Sequence, residues 1–67
     1  MNHLFIINPK AGKTDRTDEL KRRIERLMRK RSGIYKIAVT EYPRHATEIV
    51  QKVVSGGEYW RVYACGG

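Results

Sequence analysis

The sequence has a single cysteine, two prolines, no long apolar run and half as many acidic residues as basic ones. Because Cys65 is alone, a disulfide framework is excluded, and we expect a protein of a reducing compartment, the cytoplasm. No apolar run approaches the roughly 20 residues that span a bilayer, and the N-terminus lacks the features of a signal peptide. The 67 residues suffice for one small domain.

The formal net charge is +7, and much of it lies in one segment. Residues 17–31 combine seven Lys or Arg residues with three Asp or Glu residues. Such an excess indicates an anionic partner, which leaves nucleotide, acidic lipid surface and nucleic acid open. Arg22, Arg26 and Arg29 fall on one side of a helical segment. They are interpreted either as a solvated face or as a face attracted to anionic lipid.

The hydrophobic pattern predicts five elements in the order β-α-β-α-β. Four successive apolar residues, 4–7, are typical of a short strand buried on both faces. Apolar residues at helical spacing predict a helix that begins after Thr17 as N-cap and a second helix before residue 55. Residues 34–40 and 59–65 are predicted strands, the former near a sheet edge. The apolar helix positions are Leu20, Ile24, Leu27 and Met28, then Ala46, Ile49, Val50 and Val53.

This alternation predicts an α/β fold with a parallel sheet and right-handed crossovers. The turns after the three strands, at residues 8–12, 40–43 and 66–67, then share the carboxyl edge of the sheet, where ligands of open α/β sheets bind. The first turn leads into a helix N-terminus, and that combination favours an anion such as a nucleotide phosphate.

Two common nucleotide motifs are excluded. Gly12-Lys13-Thr14 matches the end of the pattern G-x-x-x-x-G-K-[ST], but Ile7 stands where its first glycine is required. The dinucleotide fingerprint G-x-G-x-x-G is also absent.

Three motifs in order resemble the diacylglycerol kinase catalytic domain family. They are Asn8-Pro9-Lys10-Ala11-Gly12 after a strand, Thr40 five residues before His45-Ala46, and a strand that leads into Gly66-Gly67. The family's usual signature is Asn-Pro-x-Ser/Ala-Gly, a Thr with a downstream His-Ala, and Gly-Gly-Asp-Gly-Thr. NAD kinases share the Gly-Gly-Asp-Gly motif and a similar sheet, but the Asn-Pro-x-x-Gly start favours the lipid kinases.

The resemblance implies an ATP-dependent lipid kinase that transfers the γ-phosphate of ATP to a lipid hydroxyl, such as that of diacylglycerol, with Mg²⁺. Ala11 stands where many members carry Ser, so only backbone contacts are expected there. The residues that the resemblance implies for nucleotide binding are Asn8, Pro9, Lys10, Ala11, Gly12, Thr40, Gly66 and Gly67.

The resemblance assigns no catalytic residue and no metal ligand to this sequence. The Asp-Gly-Thr of the glycine motif and the second domain, which supplies the base in this family, would follow Gly67. We therefore expect residues 1–67 to be the N-terminal part of the ATP-binding domain and to be inactive alone. His45 is interpreted as a capping or packing residue, Tyr42 and Trp60 as packing residues, and Cys65 as a small buried apolar residue.

Further expectations concern partners and location. We expect a cytoplasmic protein in peripheral contact with an anionic membrane and no nucleic-acid partner, and a homodimer is left open. The competing hypotheses are a small basic nucleic-acid-binding module, which would explain the charge, and a non-catalytic kinase half with a structural role.

Overall fold

The computed structural model describes residues 2–10, 14–31 and 33–66. The elements are β1 (Asn2–Asn8), α1 (Thr17–Met28), β2 (Ile34–Val39), α2 (His45–Val54) and β3 (Trp60–Gly66). The predicted α/β class and element order are confirmed. Within these ranges, no helix has the length and apolar character needed to cross a membrane.

Strand β1 is the centre of a three-stranded parallel sheet with the order β2-β1-β3. Its residues 4–7 are at most 7% exposed. A central strand is covered on both faces, so four apolar residues in succession are all buried, as predicted. The predicted edge position of β2 is confirmed as well.

Helix α1 covers one face of the sheet. Phe5 and Ile7 from β1 pack with Ile24 and Met28 from α1, and Leu20 lies against this cluster. Each fully buried side chain of this size contributes about 1.5–3 kcal/mol to stability. This cluster is the main core of the described residues.

Leu27 is the member of the predicted apolar face that the structure places elsewhere. Its side chain is 46% exposed. At 3.6 residues per turn, the direction of the Leu27 side chain around the helix differs by about 60° from that of Ile24 and by about 100° from that of Met28. Leu20 lies only about 20° from Leu27 around the helix and still contacts the core cluster, so helical direction alone does not explain the exposure of Leu27.

The predicted N-cap of α1 is wrong by one residue. Arg16 is the N-cap, and Thr17 is the first helical residue. The reason is Asp15, whose carboxylate accepts the Thr17 N–H at 2.9 Å and also the Thr17 hydroxyl. These bonds stabilise the ionised form and lower the pKa of Asp15. A preceding carboxylate thus satisfies one free N–H group at the helix start.

Helix α2 lies on the other face, because the connection from β1 to β2 and the connection from β2 to β3 run in opposite directions along the sheet, and right-handed crossovers of opposite direction place their helices on opposite faces. Its predicted apolar positions are half-buried, as is His45, and none of its residues is fully buried. Strand β3 is one residue later than predicted, and β2 ends at Val39, one residue before the predicted end. Even so, the Thr40 N–H continues the ladder by donating to the Ile7 carbonyl at 2.8 Å.

Candidate functional site

The carboxyl ends of the three strands bring the sequence motifs together. In the sheet register Asn8 pairs with Gly66, and Ile7 pairs with Val39, the residue before Thr40. The order β2-β1-β3 is also the start of the doubly wound order 2-1-3-4-5, in which the ligand crevice lies between β1 and β3. The first and third motifs therefore meet at the position where such sheets bind ligands.

Asn8 shapes the turn that follows β1. Its side-chain Oδ1 accepts the N–H of Lys10 at 3.0 Å, and the Pro9 ring fixes the backbone φ between them. This arrangement uses the side-chain oxygen of Asn8 and leaves its Nδ2 amide available as a donor. Asn8 therefore has a structural role in the turn and retains a group for binding.

Thr40 is anchored to β1 by two hydrogen bonds to one carbonyl. Besides the backbone bond, its Oγ1 donates to the Ile7 carbonyl at 3.3 Å. Because the hydroxyl proton is engaged, the oxygen lone pairs are the part that a ligand can use. Thr40 is thus suited to accept from a ribose hydroxyl or an adenine amino group, and less suited to a phosphate oxygen.

A cavity of about 460 Å³ opens at this edge. Its volume lies in the range of small-molecule sites. A smaller concavity of about 340 Å³ adjoins it, shares Asn8 and Thr40, and adds Lys10 and Glu41. The apolar lining of the main cavity comes from Ile6, Ala46 and Ala64, and its polar lining includes Asn8, Thr40 and Arg44.

The predicted site residues do not all fall in one place. Asn8, Lys10 and Thr40 line these two concavities, and Gly66 pairs with Asn8. Pro9 instead lines a separate hollow at the start of α1. The predicted contacts at Ala11, Gly12 and Gly67 lie outside the described residues.

The hollow beside Pro9 is acidic in its described part. Asp15 and Asp18 line it together with Lys21. Since two carboxylates repel a phosphate group, the described residues favour the cavity on the α2 side of the sheet over this hollow as a phosphate site.

Sequence reasoning placed the turn at residues 40–43 at this edge but did not include Arg44 in the cavity wall. The segment between β2 and α2 contributes Tyr42, Pro43 and Arg44. The Tyr42 ring stacks on His45 with centroids 4.4 Å apart, and its hydroxyl donates to the Glu48 carboxylate, which raises the pKa of Tyr42. Only knowledge of the strand order could have placed this segment beside β3.

His45 supports the same turn. Its Nδ1 accepts the N–H of Glu41 at 3.0 Å, which closes the loop between β2 and α2. Of the two interpretations of His45, packing is confirmed by its stack on Tyr42, whereas α2 has no side-chain cap and the Nδ1 of His45 binds an N–H that precedes the helix.

Cys65 lines the cavity and packs against the core cluster. Burial raises the pKa of its thiol above the ordinary value. The thiol is therefore protonated at neutral pH, and Cys65 acts as a small, partly buried residue of β3.

Among the residues that the structure describes, no group of three His, Cys, Asp or Glu side chains is positioned to hold a metal ion. Among the described residues, Glu41 is the one carboxylate that lines the cavity or the adjoining concavity at the carboxyl edge of the sheet. Magnesium is commonly held by one or two carboxylates together with substrate phosphates. One carboxylate can help to hold a magnesium ion that is also bound by nucleotide phosphates. It does not suffice for a magnesium site made of protein ligands alone.

A second, larger concavity of about 550 Å³ lies at the opposite edge of the sheet. Lys36, Lys52 and Trp60 are part of its lining, so it also offers positive charge. It is formed at the amino ends of the strands, however, where open α/β sheets do not bind their ligands. The carboxyl edge is therefore the stronger candidate despite its smaller volume.

Comparison with known proteins gives one match. Residues 2–67 match the family model described as the diacylglycerol kinase catalytic domain. No curated protein and no solved structure matches the sequence significantly. The matched range contains all three sequence motifs and the whole described sheet, and the family is one of kinases, which transfer phosphoryl groups. The chain belongs to the diacylglycerol kinase catalytic domain family.

Proposed function

We propose that this chain is the nucleotide-binding, N-terminal part of an ATP-dependent lipid kinase. The reaction transfers the γ-phosphate of ATP to the hydroxyl of a lipid such as diacylglycerol. The observation that supports it is the cavity at the carboxyl edge of the sheet, lined by Asn8 and Thr40, in a member of a kinase family.

Phosphoryl transfer depends mainly on positioning and on stabilising charge. In the proposal, Thr40 accepts a hydrogen bond from the nucleoside, the Asn8 amide donates to it or to phosphate, and Lys10 adds positive charge beside the same edge. Magnesium bound to the phosphates would neutralise part of their charge. The proposal gives this chain the nucleotide and assigns the base that acts on the lipid hydroxyl to none of its residues.

The test is a transfer assay on the complete encoded protein, with ATP labelled at the γ-phosphate and vesicles that contain diacylglycerol. We expect labelled lipid. Thr40→Val removes the hydroxyl and keeps the shape, so kcat/KM for ATP should fall about two- to tenfold, the worth of one ordinary hydrogen bond.

Thr47→Val is the matched control, because Thr47 is exposed on α2. Its kcat/KM should stay at the wild-type value. Absence of labelled lipid contradicts the lipid kinase proposal, whereas equal losses in the two variants contradict only the assignment of Thr40.

Peripheral membrane contact is the second part of the proposal, with the cytoplasm as the location. The exposed Leu27 lies in a shallow concavity whose other lining residues are all basic: Arg23, Arg26, Lys30 and Arg31. We call these five residues the Leu27 patch. An apolar side chain among cations suits the interface of an anionic bilayer, where each cation contributes about 1 kcal/mol.

The Leu27 patch differs from the arginine face predicted from the sequence. Arg26 is the residue that the two sets share. Because α1 runs antiparallel to the strands, the patch lies near the amino edge of the sheet, away from the cavity. Docking through this patch would hold the protein at a membrane without presenting the lipid to the nucleotide.

A further inference from the structure

Arg44 has an unusual backbone conformation. Its φ and ψ are 71° and −1°, in the left-handed region, and it is the one non-glycine residue with positive φ among the residues described. A residue with a Cβ atom is disfavoured there, whereas glycine adopts this conformation readily. Such outliers persist where surrounding structure enforces them, often at functional sites.

The conformation places Arg44 at the cavity. Arg44 directly precedes α2, its carbonyl accepts the N–H of Glu48 at 3.3 Å, and it is one of the residues that line the cavity with Asn8 and Thr40. It forms no ion pair with any acidic residue in the described ranges, and the nearby Glu48 carboxylate is engaged by the Tyr42 hydroxyl. Its positive charge is thus not neutralised by an ion pair within the described chain.

We propose that Arg44 binds a phosphate group of the nucleotide and thereby determines the preference of the cavity for phosphorylated ligands. The guanidinium group offers planar, paired N–H donors that match phosphate oxygens. Arg44 is the only charged donor in the lining of this cavity among the described residues, since the Thr40 hydroxyl proton is already engaged and Asn8 offers only a neutral amide. This inference rests on the proposed nucleotide-binding function.

The test compares ATP and adenosine binding to the complete encoded protein by calorimetric titration. Arg44→Asn is the main variant, because Asn tolerates the left-handed conformation and removes the charge. We expect ATP affinity to fall about tenfold to a hundredfold, the usual worth of a hydrogen-bonded charge, and adenosine affinity to change less than about twofold.

Arg44→Gly separates binding from folding. Glycine relieves the backbone conformation, so the thermal midpoint should stay level or rise by a few degrees while ATP affinity falls as in Arg44→Asn. Arg61→Thr is the charge control, because Arg61 is exposed on β3 and pairs with His3 near the amino edge. It should leave ATP affinity unchanged.

Each other outcome overturns the inference in a distinct way. Unchanged ATP affinity in both Arg44 variants shows that the guanidinium does not bind the nucleotide. An equal loss for adenosine shows contact with the nucleoside, and an equal loss in Arg61→Thr shows a general charge effect. If the wild-type protein does not bind ATP, the proposed function fails and the inference fails with it.

Discussion

His3 is a buried polar residue in the described part of the chain, and its side chain depends on a single partner. It is 7% exposed, and its Nδ1 lies 3.0 Å from the Tyr63 hydroxyl. The Tyr63 ring also stacks on Phe5 with centroids 4.7 Å apart. Buried polar groups require hydrogen-bond partners. The Tyr63 hydroxyl is such a partner for His3, whose burial in this face of the sheet would otherwise lower the stability of the fold.

Replacing Tyr63 by Phe should lower the free energy of unfolding by about 1–3 kcal/mol, because it keeps the ring stack but leaves a His3 nitrogen unpaired. Chemical denaturation measures the change. Tyr59→Phe is the control, since Tyr59 is 83% exposed, and should shift stability by less than about 0.5 kcal/mol. Equal changes in the two variants would show that the contact with His3 is not stabilising.

Cys65 provides a pH-dependent reporter of the cavity. Burial raises the pKa of its thiol, so a smaller fraction is thiolate at a given pH. The alkylation rate of Cys65 should therefore rise at a higher pH in the folded protein than in the same protein unfolded, and ATP should slow it. Mass spectrometry of the Cys65 peptide measures both effects. Superimposable pH profiles, or rates that ATP leaves unchanged, would contradict this account.

Some residue-scale features follow from the sequence and others do not. The turn after β1 was predictable, because Asn8 and Pro9 have local turn chemistry that operates in any fold. The left-handed conformation of Arg44 was not, because nothing in an arginine favours it and the connection between β2 and α2 imposes it. The engagement of the Thr40 proton by Ile7 also requires the strand register.

At the scale of elements, α1 shows how far hydrophobic spacing can be trusted. The spacing correctly predicted a helix with Ile24 and Met28 in the core, because their directions differ by only about 40°. It also grouped Leu27 with them, because periodicity gives the direction of a side chain and not what lies opposite it. Leu27 is half exposed although Leu20, about 20° away around the helix, contacts the core.

This difference can be measured by two matched truncations. Ile24→Ala should lower the free energy of unfolding by about 2–5 kcal/mol, because it removes a buried side chain from the core. Leu27→Ala should cost less than about 1 kcal/mol, since about half of the Leu27 side chain is already exposed. Similar losses in denaturant titrations of the two variants would mean that α1 is docked in a different rotation.

The Leu27 patch gives the prediction for membrane contact. The double change Arg26→Glu with Lys30→Glu should weaken binding to phosphatidylserine vesicles at least about tenfold, because two attractions become repulsions. Vesicle sedimentation measures the bound fraction. The control Lys52→Glu with Arg61→Glu changes the net charge equally at positions outside the patch. If both double variants lose binding to the same extent, net charge and not the Leu27 patch governs attachment.

At the scale of the whole molecule, the sequence predicted the class of fold and the edge at which the motifs gather. Parallel strands joined by helices must present their carboxyl ends together, so Asn8 and Thr40 could be placed at one edge without coordinates. Of the order β2-β1-β3, only the central position of β1 was implied by the sequence, through its uninterrupted apolar run. That order places Ala64 and Arg44 in the same cavity, which is why these two residues escaped prediction.

The central claim is that ATP binds at the carboxyl edge of the sheet, and an ATP titration of the ¹⁵N-labelled complete protein followed by NMR tests it most directly. The account predicts that the largest shifts of backbone amides occur at Asn8, Lys10, Thr40 and Arg44. Shifts concentrated at Lys36, Lys52 and Trp60, which line the concavity at the amino edge, would contradict the account. So would a titration in which no amide shifts.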